Sequence, residues 1–332
     1  MAVRAEACRG GLTASMSEAK AWDVITVGDV FVDVILSGFS TWPQPGEEAF
    51  ATHFARDVGG GAVITACGLA RLGMRVSVLA AIGREEEAWV KKRLKTQGVD
   101  TRRLIRHEKE PTAVTVSVSR ENERAFFTYM GANRVLPAVL AHKRRWKALT
   151  AARHVHLACA PDPAVLVALG RFLHERGTRL SLDVGWHPEW LRDPASRRAL
   201  AALDLFFPNE REAAEMTGAR DPKAALRALA DAGVPIIALK RGAVGAMLSW
   251  NGELFVEAPP RIHAVDTTGA GDCFDAGFLY AWLSGEPPKR CLKIATICGA
   301  LSTRGLGGIA AFPTREEIEE TLRTMSSESA RS

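Results

Sequence analysis

Residues 266–278 read Asp-Thr-Thr-Gly-Ala-Gly-Asp-Cys-Phe-Asp-Ala-Gly-Phe. Small residues run directly into an apolar stretch, so the pattern places a loop before residue 270 and a helix over about 270–284. The first amides of a helix lack intrahelical acceptors, and the helix dipole adds positive potential at that end. The N–H groups of Gly269, Ala270 and Gly271 therefore form a candidate anion hole, and glycine allows a phosphate to approach the backbone closely. Asp272 stands one residue past it, placed to take a proton from an attacking hydroxyl. The same letters also describe a glycine-rich cap with a stabilising acid in the first turn.

Working outward, short apolar strands alternate with helix-period segments. Residues 24–29 form a strand ending in Gly-Asp, and 30–36 continue with alternation. Gly59-Gly60-Gly61 opens a helix that runs to Leu72 and closes at Gly73. A strand at 76–82 and a helix at 85–97 follow. Residues 112–119 alternate strictly and 125–130 less cleanly about a polar turn, an antiparallel hairpin with one polar face. It is expected to join the strands after residue 30 in a small separate sheet. Beyond it, strands at 154–159, 179–183, 203–207 and 236–239 alternate with helices at 164–176, 210–217 and 222–232. That alternation implies an α/β fold with a central, mostly parallel sheet flanked by helices. Helices at 270–284, 288–303 and 314–325 complete the chain. The ordered unit is expected over 22–325, with 1–21 a disordered extension in which Met16 is an alternative start, and 326–332 a frayed tail.

The 332 residues are 47% hydrophobic and 24% charged, ordinary globular values that exclude wholesale disorder. No apolar run approaches the roughly 18–20 residues of a membrane helix, and residues 1–20 lack the apolar centre of a secretory signal. The net charge of +5 is scattered; its densest run, His142 to Lys147, reads as a solvated helix face rather than a nucleic-acid patch. The six cysteines show neither CxxC nor metal spacing, as expected of buried thiols in a reducing cytoplasm.

The 266–278 stretch resembles the C-terminal signature of the ribokinase-like, or PfkB, carbohydrate kinases. Other segments agree in order and spacing: Gly59-Gly60 at a helix start, the hairpin followed by Gly131-Ala132-Asn133, Asn209-Glu210-Arg211-Glu212, and Lys240-Arg241-Gly242-Ala243-Val244-Gly245. The resemblance covers about residues 22–320 and implies the ribokinase-like fold, with a small β-sheet lid built from about 30–55 and 110–131. It implies phosphorylation of a hydroxyl, typically a hydroxymethyl group, by ATP and Mg²⁺. Asp272 then resembles the catalytic base, and Gly269, Ala270 and Gly271 the anion hole. Asn209 and Glu212 match an N-x-x-E that faces the nucleotide phosphates and the waters of Mg²⁺; without the resemblance the same residues read as a polar helix start with an Asn cap. Lys240, Gly242 and Gly245 belong to the loop that passes the phosphates, with Lys240 a candidate direct phosphate contact. Thr296, with Cys298 beside it, and Gly308 are expected around the adenine. Asp266 and Thr268 resemble a loop that often binds K⁺. No Walker A sequence occurs, so this is not a P-loop kinase.

On the substrate side, Asp33, with Asp29 near it, matches the acid that holds sugar hydroxyls, and Gly59 and Gly60 the backbone against which the sugar lies. Asn133 is a further candidate contact. Ribokinases carry Asn where Ile64 stands, and a carboxylate commonly found after the middle strand is replaced by Cys159. Two polar sugar contacts are thus apolar here, which disfavours ribose and favours a nucleobase or a modified sugar. Asp183 resembles a strand-end site near the phosphates. Trp186 and His187 read equally well as packing and loop residues. The lid implies a homodimer through its sheet. A nucleoside kinase is the rival within the class, and a non-catalytic sugar or nucleotide sensor the rival outside it; neither a nucleic-acid nor a membrane partner is expected.

Overall fold

The computed structural model describes residues 20–120 and 123–329. Fourteen strands occur among them. β1 (Trp22–Gly28), β4 (Val76–Leu79), β9 (Ala152–Ala158), β10 (Arg179–Asp183), β11 (Leu205–Phe206) and β12 (Ile236–Lys240) form the parallel part of the main sheet. β13 (Ala246–Trp250) and β14 (Glu253–Glu257) add an antiparallel hairpin at one edge. The order is β14-β13-β12-β11-β10-β9-β1-β4. β1 therefore lies between β4 and β9, and the chain reverses its direction of winding there. In such sheets the crevice outside the strand carboxyl ends is the place for a ligand. Those ends carry Gly28-Asp29, Ala158-Cys159, Asp183 and Lys240.

The parallel part of the sheet is buried on both faces, which accounts for its short, largely apolar strands. On one face the helices Gly61–Arg71, Ala270–Leu283 and Pro288–Ser302 pack into one core with Val24, Phe207 and Leu248; on the other lie Leu157, Phe206 and Leu239. Against the first of these cores runs a polar line, with His154 and His156 packed on Trp282 and Phe207. His154 and His156 flank the Ser181 hydroxyl at 2.7 and 2.9 Å. Burial pushes His156 down to about 4, so the ring is neutral at physiological pH.

A second sheet stands beside the main one, in the order β3-β2-β7-β8, from β2 (Phe31–Ser37), β3 (His53–Gly59), β7 (Ala113–Arg120) and β8 (Glu123–Tyr129). Register puts Asp33, Asp57, Thr115 and Thr128 in one row, and Ile35, Ser117 and Phe126 in the next row of the same face. β5 (Ala81–Gly83) and β6 (Ile105–His107) make a two-stranded bridge. This is the expected architecture, with local differences. The second lid strand runs to Gly59 rather than ending near 55, because its antiparallel ladder with β2 continues from Ser37↔His53 to Phe31↔Gly59. The expected 76–82 strand breaks at Ala80. The terminal helix Arg315–Ser329 includes Ser326–Ser329, which were expected to fray. The basic run forms a 3₁₀ turn, Lys143–Arg145, and a short helix that buries Trp146. The readings for residues 1–19 and 330–332 lie outside the described residues. No described helix is long and apolar enough to cross a membrane.

Candidate active site

The helix Ala270–Leu283 starts after Gly269, whose φ of 72° is left-handed. A Cβ there would stand 2.8 Å from Ile64 and 2.9 Å from Gly308 Cα, so only glycine fits. One expectation changes here. The Ala270 N–H donates to Thr267 O at 3.2 Å and closes a turn, so it is not open to a ligand. Among the described residues the Gly269 and Gly271 amides have no such partner. The hole is narrower than the sequence implied.

Asp272 is half-buried at the seam between this helix and the helix Gly61–Arg71. Its Oδ1 lies 2.8 Å from the point where a Cβ on Gly61 would stand, and Thr65 Oγ1 donates to its carbonyl at 3.2 Å. The third glycine of 59–61 is thus required by the acid 211 positions later. Burial, reinforced by the charge of Asp183 and opposed by Lys240, pushes the Asp272 carboxyl up to about 7. An acid poised there exchanges protons readily near neutral pH.

Beneath Gly271 lie Lys240 and two more acids. Lys240 Nζ is 2.6 Å from Asp183 Oδ2 and 3.4 Å from Asp275 Oδ1. Burial disfavours the ammonium, but Asp183, Asp275 and Glu212 outweigh it and hold Lys240 charged. Burial also raises Asp183, yet Lys240 and a hydrogen bond with Asp275 pull it below the usual carboxylate range. The expected free phosphate-contacting lysine is therefore a lysine already engaged in ion pairs. Asp275, wholly buried, is a member of this cluster that the sequence reading passed over. Its spacing from Asp272 was the available signal, since i and i+3 share a helix face.

Asn209 and Glu212 cap their own helix, Glu210–Thr217. Asn209 Oδ1 accepts from the Glu212 N–H and Glu212 Oε2 from the Asn209 N–H, both at 2.9 Å. Half of each side chain is committed to the cap; Asn209 Nδ2 and Glu212 Oε1 remain for a ligand. Burial and the charge of Asp183 raise Glu212 to about 7, against Lys240 and the bonds from Asn209.

A cavity of about 650 Å³ opens beside the Lys240–Gly245 loop. Gly242, Gly245, Ala270 and Gly271 line its polar end; Pro259, Ile262, Phe274 and Ala300 make an apolar slot. Thr296 lines it too, with its hydroxyl turned back to Leu292 O at 2.8 Å. The Pro259–Ile262 wall was not legible as such, because it is irregular chain between two elements. Gly308 is not among the lining residues: it packs on Ile64 and Gly269. Cys298 is buried against Gly277. Of the three residues expected around the adenine, Thr296 lines this cavity and Cys298 and Gly308 do not.

Toward the lid, Asp29 and Asp33 are half-buried, and their carboxyl groups make no hydrogen bond among the described residues. Burial raises Asp29 to about 6. Burial, then the charges of Asp57 and Asp266, raises Asp33 to about 7. Gly59 packs against Asp33, and a Cβ on Gly60 would strike Asp29 O. Ile64 and Cys159 are buried, Cys159 close enough to Asp29 to feel its charge. Asn133 does not face this cleft: its amide brackets the Val30 backbone, donating to Val30 O at 3.1 Å and accepting from Val30 N at 3.3 Å. Asp266 accepts from the Thr268 N–H at 2.8 Å and from the Gly307 N–H at 2.9 Å, locking two loops together. A K⁺ ion at this position would have to share those oxygens. Trp186 lies under the Arg211 guanidinium at 3.5 Å, a surface stack.

An acid at a helix start, with a large slotted cavity on one side and a lidded cleft holding unpaired carboxyls on the other, defines a phosphotransferase that uses an alcohol group as acceptor. The chain belongs to the pfkB family of carbohydrate kinases, whose family model matches residues 21–315. It is 31% identical over 301 residues to an ATP-dependent ribose-1-phosphate kinase of Halopiger xanaduensis, covering 90% of this chain and 97% of that protein. It is 29% identical over 305 residues to a nucleoside kinase of Methanothermobacter thermautotrophicus, covering 91% and 95%. Among solved structures, Arabidopsis thaliana ribokinase complexed with ribose and ATP superposes with a TM-score of 0.79 at 24% identity, over 91% of this chain and 99% of that one.

Proposed function

We propose that the protein transfers the γ-phosphoryl group of ATP to a hydroxyl, most simply a hydroxymethyl, of a sugar or sugar derivative. The observation that carries this is the position of Asp272: next to the Gly271 amide that lines the cavity, and against Gly61, which continues the segment packed on Asp29 and Asp33. The nucleotide would fill the 650 Å³ cavity with its base in the Pro259–Phe274 slot. The acceptor's other hydroxyls would bond to Asp29 and Asp33, desolvated acceptors without hydrogen-bond partners among the described residues. Asp272 takes the hydroxyl proton, the oxygen attacks the γ-phosphorus, the bond from phosphorus to the bridging oxygen breaks, and ADP leaves. The Gly269 and Gly271 amides face the charge that develops. Mg²⁺ fits this donor set through Glu212 Oε1 and intervening water, and when bound it neutralises triphosphate charge.

A nucleoside acceptor is the second reading. Phe126 lies in the lid row of Ile35, on the face that carries Asp33, and is 53% exposed. With Ile64 and Cys159 it gives the cleft an apolar side on which a base can stack. The outer lid face is also apolar, with Phe54 and Phe127 at 68% and 65% exposed, and we propose that a second copy of the chain covers it. The deciding experiment is ADP release with Mg²⁺ over sugars, sugar phosphates, sugar acids and nucleosides, in K⁺ and in Na⁺. Release that depends on one acceptor class supports the reading and names the class. Tight binding of several acceptors without any release overturns it in favour of a sensor.

A further inference from the structure

Lys240 and Asp275 are arranged more tightly than a phosphate-binding lysine requires. Lys240 Nζ is 2.6 Å from Asp183 Oδ2 and 3.4 and 3.5 Å from the two oxygens of Asp275. It is also 3.5 Å from the point where a Cβ on Gly271 would stand. Carboxylate oxygens of Asp183, Asp272 and Asp275 all lie within 4.8 Å of one another. Acids this close repel strongly unless a cation sits with them. Here the cation is supplied by the chain, since the ammonium touches two of the three and its field reaches the third. An ammonium has three donor directions, and two carboxylates on opposite elements fix it in place. Asp275 has no exposed surface, so its contribution must run through these neighbours.

We infer that Asp275 and Asp183 are positioning residues that fix the Lys240 ammonium beneath Gly271 as a stationary counter-charge for Asp272 and for the group being transferred. The inference rests on Asp272 being the base. Every charged group that faces Asp272 enters the balance: Asp275 on its own helix, Asp183 from β10, Lys240 from β12 and Glu212 from the Asn209-capped helix. His156 of β9 acts on Asp183 from behind and is neutral. Removing the ammonium leaves Asp272 among acids alone, so its proton is held more tightly. Activity then requires a higher pH.

The test is kcat/KM against pH for the wild type, Lys240→Met, Lys240→Arg, Asp275→Asn and the Lys240→Met/Asp275→Asn pair, with melting curves and calorimetric ATP binding. Lys240→Met should move the acid limb up by about one pH unit or more, while ATP affinity changes less than about fivefold. Lys240→Arg keeps the charge, so it should hold the limb near its wild-type position even where the rate falls. Asp275→Asn should lower kcat by about tenfold with ATP affinity kept, and add little to Lys240→Met, because it acts through the lysine. An unmoved limb with a large loss of ATP affinity in Lys240→Met would overturn the inference and make Lys240 a plain phosphate ligand. Fully additive losses in the pair would overturn the role of Asp275. Asp272→Asn, run beside them, separates the two levels. If it retains turnover, the reading of the site fails; if it is inactive while the Lys240 variants leave the limb in place, only this inference fails.

Discussion

The floor and the lid of the cleft handle charge in opposite ways. On the floor, Asp183, Asp272 and Asp275 crowd together around Lys240, carried by β10, the helix Ala270–Leu283 and β12. On the lid side, Asp29 and Asp33 are drawn out of water with no cation or donor bonded to them among the described residues. The floor is complete by itself and suits a reaction step that is the same for every acceptor. The lid side is incomplete until an acceptor brings its hydroxyls, so it suits selection. Chemistry and specificity are therefore separable, and mutations should sort by which side they touch.

The largest effect is expected on the floor. Gly61→Ala places a methyl 2.8 Å from Asp272 Oδ1. The acid must shift, and kcat should fall by about 100-fold, with ATP binding retained in calorimetry. A rate within twofold of wild type would show that the position of Asp272 is not critical.

Substitutions on the lid side should change KM and acceptor preference more than kcat. Asp33→Asn should raise the acceptor KM about tenfold, since a hydrogen bond to a charged acceptor becomes a neutral one. The same variant makes a stability prediction of definite sign. Asp33 has its pKa raised in the folded protein to about 7. The folded state therefore binds more protons than the unfolded state between about pH 4 and pH 7, and stability from this group is lost as pH rises through that window. Asp33→Asn removes the loss. It should be more stable than wild type by about 1–2 kcal/mol at pH 8 and nearly equal at pH 4, measured by denaturant unfolding without acceptor. Equal stability at both pH values would contradict the raised pKa.

Phe126→Ala tests the comparison within the lid. It should raise KM for nucleosides by about tenfold, the value of a stacked aromatic, and leave simple sugars unchanged; equal losses for both would remove the nucleoside reading. The smallest catalytic effect is expected from Phe127→Asp on the outer face. It should convert a dimer to a monomer in light scattering while the chemistry on the floor persists. An unchanged mass would mean that another surface, or none, joins the subunits.

The same contrast explains what could be read from the sequence. Asp272 could be singled out on the floor only through the resemblance of residues 266–278 to the PfkB signature, since spacing alone leaves a glycine-rich cap equally open. Two further aspects of the floor were not legible. Whether Lys240 meets phosphate or carboxylate depends on Asp183 and Asp275, which lie 57 and 35 positions away. That the Ala270 amide is closed depends on a turn at Thr267. On the lid side, Asp33 lies half-buried near the cleft, but Asn133 turns inward to the Val30 backbone, a use of an amide that spacing cannot distinguish from ligand binding. Gly308 failed for a similar reason: Ile64, where a polar residue was the family expectation, fills the space beside it. The β13–β14 hairpin was legible but missed: Asn251-Gly252, both at positive φ, mark its turn between two apolar runs, whereas the Pro259–Ile262 wall carries no periodic signal of its own.

The central claim is that Asp272 accepts the proton of the acceptor hydroxyl. The most direct measurement is acceptor-dependent ADP release by wild type and Asp272→Asn, with ATP affinity measured on the same preparations. Asp272→Asn should lose about 10²–10⁴-fold in kcat with ATP affinity within a few fold of wild type. Turnover of Asp272→Asn at a rate near wild type would contradict the claim.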